Sequence, residues 1–353
     1  MRIKLNRAAG LLAALLLTAA LAAGEEGRTV LVVTSTNNTN GNAVVVFRLD
    51  ATGTPSLSWA DTLPTGGNGG AGGNSGILQF SDGLGAVANF GSNSVSQLVR
   101  YDHFITVGHT IKLASGCVNP DSVALTKEHL FVVGTNCAES HAWPWGNVEG
   151  PVVHLTDTSA AQIVAGKSWA AITMTSGSVL QLPLTPFGAL SGASINVPLP
   201  SMANNTPLGA AFWGDILGFT PAHSPENFAI VDKERNVYPV LFPNPPGPYP
   251  NNAPCWVAKG PGNVWYTGNS PGHAISIFFS DAQGGAFYKS IPLPGAPTDI
   301  TVSQDHKWLA VIYSANGEGY VSVFSIDHYG DLTLAATSNS VGVSSFSGVA
   351  ISQ

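Results

Sequence analysis

Six acidic or imidazole side chains stand in polar stretches where proton transfer or metal ligation can be done. They are Glu139 and His141 in NCAESHAWPWGN (136–147), His223 and Glu226 in TPAHSPEN (220–227), His273 in GNSPGH (268–273) and Glu318 in SANGEG (314–319). A carboxylate beside an imidazole moves protons near neutral pH, and the same pair ligates divalent metals. No cofactor is firmly implied, and a divalent metal is the one this set could hold. Asn89, Asn136, Asn269 and Asn316 fall at or just after the ends of equivalent apolar runs. Their amides either line a mouth that binds a hydroxylated ligand or satisfy loop backbone groups, the plainer of the two roles. Trp143 and Trp145 flank Pro144 in the longest of these stretches, as an aromatic platform for a sugar or as a lid on neighbouring structure.

Other motifs offer less. His306 and His129 fall by tight turns, His328 in a DHYGD turn, His154 on an outer strand, and His103 and His109 in an outer hairpin. The run GGNGGAGGN (66–74) lacks the Lys and the strand-to-helix context of a phosphate cradle and reads as a flexible loop. HExxH and CxxC patterns are absent from the sequence.

The elements that position these residues begin after an N-terminal signal. Arg2, Lys4 and Arg7 precede an apolar run from Ala8 to Leu21, followed by small residues and the Glu25-Glu26 pair, which predicts a cleaved secretion signal over residues 1–23. The expected product is secreted, or periplasmic in a bacterium, with no membrane span after cleavage. Cleavage leaves 11 Lys+Arg against 21 Asp+Glu, a formal charge near −10, which makes nucleic acid and anionic membranes poor partners. Export makes the cysteines oxidation candidates: Cys117 and Cys137 lie almost symmetrically about the turn Lys127-Glu128, so a hairpin brings them to one end and a disulfide is the expectation. Cys255, in APCWVA, reads as a buried strand residue. Asn37 and Asn204 open N-glycosylation sequons.

Beyond residue 23 the pattern is all-β. The apolar residue before each polar turn gives the series Phe80, Leu125, Val164, Phe212, Ala258, Val302 and Ile351. Its spacing of about 40 to 50 residues is the period of a four-stranded propeller blade. The stretch Ala296 to Asp327 is the cleanest copy. The seventh unit is split: its first strand is Phe346 to Ser352, and its next strands are Thr29 to Thr36 and Ala43 to Asp50. The expectation is one seven-bladed domain over residues 24–353, closed by its own termini so that no sheet edge is left open, and monomeric. Within such a ring, the loops between second and third strands and those between blades share one face, where the long polar stretches are expected to gather over the channel. Tight turns such as Ser81-Asp82-Gly83 and Gln304-Asp305-His306 occupy the other face.

The order of VVVFRLD, SDG and VANFGSNSVS, then NPDSVAL and LFVVGTN, then APCWVA, VWYTGNSPGHAISIF, PTDI, WLAV and VSVFSIDHYGDLTL resembles the lactonase-like seven-bladed propeller family, which includes 6-phosphogluconolactonases and 3-carboxymuconate lactonising enzymes. The resemblance spans nearly the whole mature chain but rests on scaffold motifs. It implies the propeller fold and a lactone hydrolase or isomerase. Enzymes acting on anionic lactones would be expected to present arginines. Arg48, Arg100 and Arg235 read as outer-strand or turn residues, and Lys112, Lys167 and Lys259 as loop or turn residues, so a neutral lactone fits better. The two functional expectations are a secreted lactonase or isomerase using Glu139, His141, His223 or His273, and a non-catalytic propeller that binds glycan or protein through Trp143 and Trp145.

Overall fold

The computed structural model describes residues 29–72, 76–201, 203, 205–223, 228–240, 253–281, 283–342 and 346–353. The expected signal segment, Asn204, Glu226 and the end of the Gly-rich run lie outside the described residues. The described chain forms seven four-stranded antiparallel sheets, each in simple up-and-down order. Blades 1 to 6 begin with the strands Leu78–Ser81, Pro120–Leu125, Ala160–Ala165, Pro207–Trp213, Pro254–Lys259 and Ala296–Val302. In the seventh, Ser347–Ser352 pairs with Val30–Ser35, followed by Ala43–Asp50 and Ser56–Pro64. A 3-10 turn at Phe90–Ser92 is the sole helical element among the described residues, and no helix there is long and apolar enough to cross a membrane.

Burial explains which runs became which strand. The second strand of each blade is covered on both faces by neighbouring blades, so it needs apolar residues throughout rather than alternation. Val30–Ser35, His129–Gly134 and Trp169–Met174 are accordingly buried at every position. Fourth strands such as Ser56–Pro64 form the outer edge and are mostly exposed. The core is consequently distributed, as a ring of clusters between adjacent blades. Ala310, Val323, Val32 and Val349 fill the joint between blades 6 and 7, while Phe131, Val133, Ile163 and Ile172 fill that between blades 2 and 3.

The closure pairs the expected strands, with Leu31 opposite Ser352 and Val33 opposite Ala350, and Thr34 Oγ1 donates to Gly348 O at 2.8 Å. Around the channel, first strands are stitched to their neighbours by side-chain acceptors. Gln79 Oε1 accepts from Leu125 N at 3.3 Å, Ser122 Oγ from Ile163 N at 3.2 Å, Gln162 Oε1 from Ala210 N at 2.6 Å and Asp299 Oδ2 from Val349 N at 3.1 Å. Inner strands of different blades are too far apart in the ring to form a continuous ladder, and these bonds satisfy N–H groups that would otherwise be orphaned.

Two expectations change. Residues 136–147 are not one loop: Cys137–Ala142 is the third strand of blade 2, and only Trp143 to Asn147 form a connection. That connection lies on the tight-turn face, where Trp143 N donates to Glu128 O at 2.8 Å. The described part of the Gly-rich run is packed in place. Gly70 N and Ala71 N donate to Asn37 Oδ1, and Asn37 Nδ2 donates to Ala71 O at 2.8 Å. A Cβ on Gly67 would lie 2.6 Å from Asn89 Cγ, and one on Gly69 2.4 Å from the Asn37 carbonyl carbon, so glycine here permits close approach rather than flexibility. Asn37, half-buried with its amide engaged, would have to leave this loop to carry a glycan.

Asn89 joins the closing blade to blade 1. Its Oδ1 accepts from Asn42 Nδ2 at 3.1 Å and Thr65 Oγ1 at 2.7 Å, and its Nδ2 donates to Ser96 Oγ at 2.8 Å. Asn89→Ala strands several buried partners and is expected to cost about 2–4 kcal/mol in urea unfolding, where each unsatisfied group costs about 1–3 kcal/mol. Glu318→Gln, at the exposed start of the strand Glu318–Ile326, is expected to change stability by less than about 0.5 kcal/mol.

Candidate functional site

The central channel holds a cavity of about 360 Å³. Its walls are the first strands, including Leu78, Val164, Ala210, Ile300 and Ala350, and Gly76 contributes from a linker between blades. Its rim is built from the tight-turn side: Asp82, Gly83, Lys259, Gln304 and Gln353. The cavity thus opens on the face opposite the long loops.

Several polar groups of this wall are committed to the scaffold. Gln79, Gln162 and Asp299 make the stitches described above, and Asp299 Oδ1 also accepts from Ile300 N at 2.9 Å. At the rim Gln304 Nε2 donates to Asp82 Oδ1 at 2.9 Å, bridging blades 6 and 1 across the end of the closing strand, while Asp305 N donates to Gln353 Oε1. Ser352 differs. It lines the cavity, is 2% exposed, and its Oγ has no hydrogen-bond partner among the described residues.

Among the described residues Lys259 is the one cation in the lining. Its Nζ donates to Gly260 O and Gly262 O at 2.7 Å and to Val264 O at 3.1 Å, which uses all three ammonium protons. The same nitrogen lies 5.2 Å from the ring centres of both Trp213 and Trp265. Lys259 therefore fastens the Gly260-Pro261-Gly262 turn, leaving no donor for a substrate anion. Burial pushes its ammonium down to about 8, and burial followed by the Lys259 charge lowers His306.

The residues expected to converge over the channel are dispersed. Glu139 and His141 do meet: His141 Nε2 lies 2.8 Å from Glu139 Oε1, and both side chains are essentially inaccessible. His141 Nδ1 faces Gly146 O at 2.9 Å and Glu139 Oε2 accepts from Ala114 N at 2.9 Å. Gly146 O can only accept, so Nδ1 carries a proton, and one further proton lies between Nε2 and Oε1. The pair is neutral as a unit and closed to solvent, inside blade 2 rather than at a mouth. His223 and His273 are exposed in other blades with φ of +68° and +47°, and Glu318 is exposed, accepting from Tyr320 OH at 3.0 Å.

The amides are occupied by the protein itself. Asn136 Nδ2 donates to Gly116 O at 2.7 Å and its Oδ1 accepts from Val118 N, while Asn269 Nδ2 donates to Ser276 Oγ at 2.6 Å. Asn316 sits in an exposed turn at φ +53°. Of the aromatic pair, Trp143 is buried in the core between blades, and Trp145 alone is exposed, at 75%. Cys117 and Cys137 form the expected disulfide. Cys255 is half-buried, its Sγ donates to Ala253 O at 3.1 Å, and burial pushes its thiol up to about 11, as suits an unreactive strand residue.

Sequence reasoning placed Lys259, Gln304 and Asp82 among tight turns and did not single out Ser352. The usable signal was position: Lys259 and Ser352 both immediately follow the anchor residue that ends the channel wall, Ala258 and Ile351.

Folding lowers the Lys259 pKa, so the folded state holds fewer protons than the unfolded chain between pH 8 and 10.5. Its contribution to stability therefore rises with pH through that window and is least favourable below pH 8. Competitive amine labelling read by mass spectrometry is expected to give Lys259 a midpoint near 8. A midpoint at or above that of exposed lysines would show that the three carbonyls and two rings outweigh burial.

No protein-family model matches the chain, and no curated protein matches it. Solved structures do share its fold. A candidate 6-phosphogluconolactonase from Bacteroides fragilis superposes with a TM-score of 0.66 at 12% identity, covering 94% of this chain and 99% of that one. A protein from Lactobacillus plantarum gives 0.66 at 14% identity over 92% and 99%. A streptogramin B lyase gives 0.57 at 14% identity over 76% and 84%. Together with the seven blades and their closure, these likenesses identify the fold as a seven-bladed β-propeller.

Proposed function

We propose that this chain binds a small, uncharged, hydroxylated molecule of the lactone or sugar class in its central channel, entered from the tight-turn face. The observation that carries the reading is the cavity of about 360 Å³, within the range of small-molecule sites, whose wall includes the buried and unpartnered Ser352 hydroxyl. Charge selects the ligand class. Among the described residues no arginine lines the cavity, and the one lysine there gives its three protons to carbonyls, so a phosphate or carboxylate would meet no free counterion among them.

Likeness to a candidate 6-phosphogluconolactonase supports the lactone class, while the missing cationic partner argues against the phosphorylated member. Turnover is the finer reading. The assembled carboxylate–imidazole pair, Glu139 with His141, is sealed away from the channel, and His223 and His273 stand on the opposite, long-loop face, so neither supports water activation on a lactone held in the channel. Export fits a chain whose two closely placed cysteines are oxidised.

Thermal-shift titration with glucono-lactone, its parent sugar and the 6-phosphorylated lactone tests the ligand class. The neutral compounds are expected to raise Tm at millimolar concentration and the phosphorylated one not to. Ser352→Ala and Gln304→Ala are expected to weaken the response by about 5-fold or more, the loss of roughly one hydrogen bond. No shift with any compound, or equal shifts in both variants, contradicts the reading. Lactone hydrolysis followed in the same samples, with His223→Ala and His273→Ala alongside, separates binding from turnover.

A further inference from the structure

One buried donor set is left unused by the channel. The sulfurs of Cys117 and Cys137 and a carboxylate oxygen of Glu139 lie within 4.8 Å of one another, and all three residues are buried. The two sulfurs are joined to each other. The loop carrying Cys117 is nevertheless held to blade 2 by contacts that do not involve sulfur. Ala114 N donates to Glu139 Oε2 at 2.9 Å, Val118 N donates to Asn136 Oδ1 at 3.1 Å, and Asn136 Nδ2 donates to Gly116 O at 2.7 Å, so both flanks of Cys117 are fixed. Opening the S–S bond leaves two thiols facing a carboxylate, on Cα atoms anchored near their 5.6 Å separation. An ion with bonds of about 2.3 Å to thiolate and about 2.0–2.2 Å to carboxylate needs donors roughly 3.5–4 Å apart, a small adjustment from this arrangement.

We propose that the reduced chain holds a zinc-class ion on Cys117, Cys137 and Glu139, with His141 as a positioning residue, and that the disulfide and the ion are exclusive occupants of the same sulfurs. His141 Nε2 is bonded to Glu139 Oε1 and its ring is fixed by Gly146 O, the arrangement by which an outer partner orients a ligating carboxylate. The chemistry balances. A dithiol reductant gives two electrons and two protons to the disulfide and closes to its own disulfide; a phosphine does the same with water, becoming the phosphine oxide. The divalent ion then binds both thiolates and releases the two thiol protons. Oxidation by a disulfide reverses the first step and ejects the ion, so in an oxidising compartment the staple persists.

The test uses the full chain, reduced with a phosphine and titrated anaerobically with Co²⁺ as the probe. One equivalent is expected to give thiolate-to-cobalt charge-transfer bands in the near ultraviolet and tetrahedral d–d bands in the visible, both erased by excess Zn²⁺. The oxidised protein and the Cys117→Ser and Cys137→Ser variants are expected to give neither. His141→Gln is expected to bind at least ~10-fold more weakly with the thiolate bands retained, since orienting partners are worth about 10–100-fold, and Glu139→Gln, which removes the ligating carboxylate, to weaken binding by at least as much. The proposal is overturned if the reduced protein shows no thiolate–cobalt band, if the band survives in Cys137→Ser, or if reduction alone abolishes the native far-ultraviolet circular dichroism.

Discussion

Antiparallel pairing of Ser347–Ser352 with Val30–Ser35 is the contact on which the rest of the molecule depends. Every blade buries both faces of its second strand against neighbours, so no blade has a complete core alone. A ring cut at one place would expose two such faces and two sheet edges. Joining the two ends within one blade lets every inter-blade joint be filled at once, among them the one where Val32 and Val349 meet Ala310 and Val323. The polar contacts of the closing blade, Thr34 with Gly348 inside it and Asn89 of blade 1 with Asn42 and Thr65, make the closure specific as well as apolar.

Closure also governs the chemistry left to the channel. Inner strands lack ladder partners on the channel side, and the side chains that meet this need are the polar ones the channel would otherwise offer to a ligand. Gln79, Gln162 and Asp299 are therefore scaffold first. What remains sits at the tight-turn rim, with Gln304, Asp82 and the hydroxyl of Ser352. A site assembled this way favours hydrogen bonding to neutral groups over neutralising an anion, which agrees with the spent protons of Lys259.

The fold was legible because its signals repeat. Seven apolar anchors at similar spacing, an orphan last strand and an orphan first strand leave little freedom, and the Cys117–Cys137 link follows from hairpin symmetry. The site was less legible because polarity in a strand has two meanings. CAESHA reads as loop, yet it is the buried strand Cys137–Ala142, made tolerable by the mutual neutralisation of Glu139 and His141 and by Ser140, which donates to Glu149 O and accepts from Leu190 N. Likewise a run of glycines has one composition whether it is loose or pressed against Asn37 and Asn89, and only tertiary contacts distinguish the two. Lys259 was passed over for the same reason: its turn is visible in sequence, while its place on the channel rim depends on ring geometry.

A crystal structure of the protein soaked with a neutral sugar lactone tests the central claim most directly. The account predicts ordered ligand density inside the channel, within hydrogen-bonding distance of Ser352 Oγ and reaching the Gln304–Asp82 rim. Density instead on the long-loop face beside His223 or His273, with the channel holding only water, would contradict it.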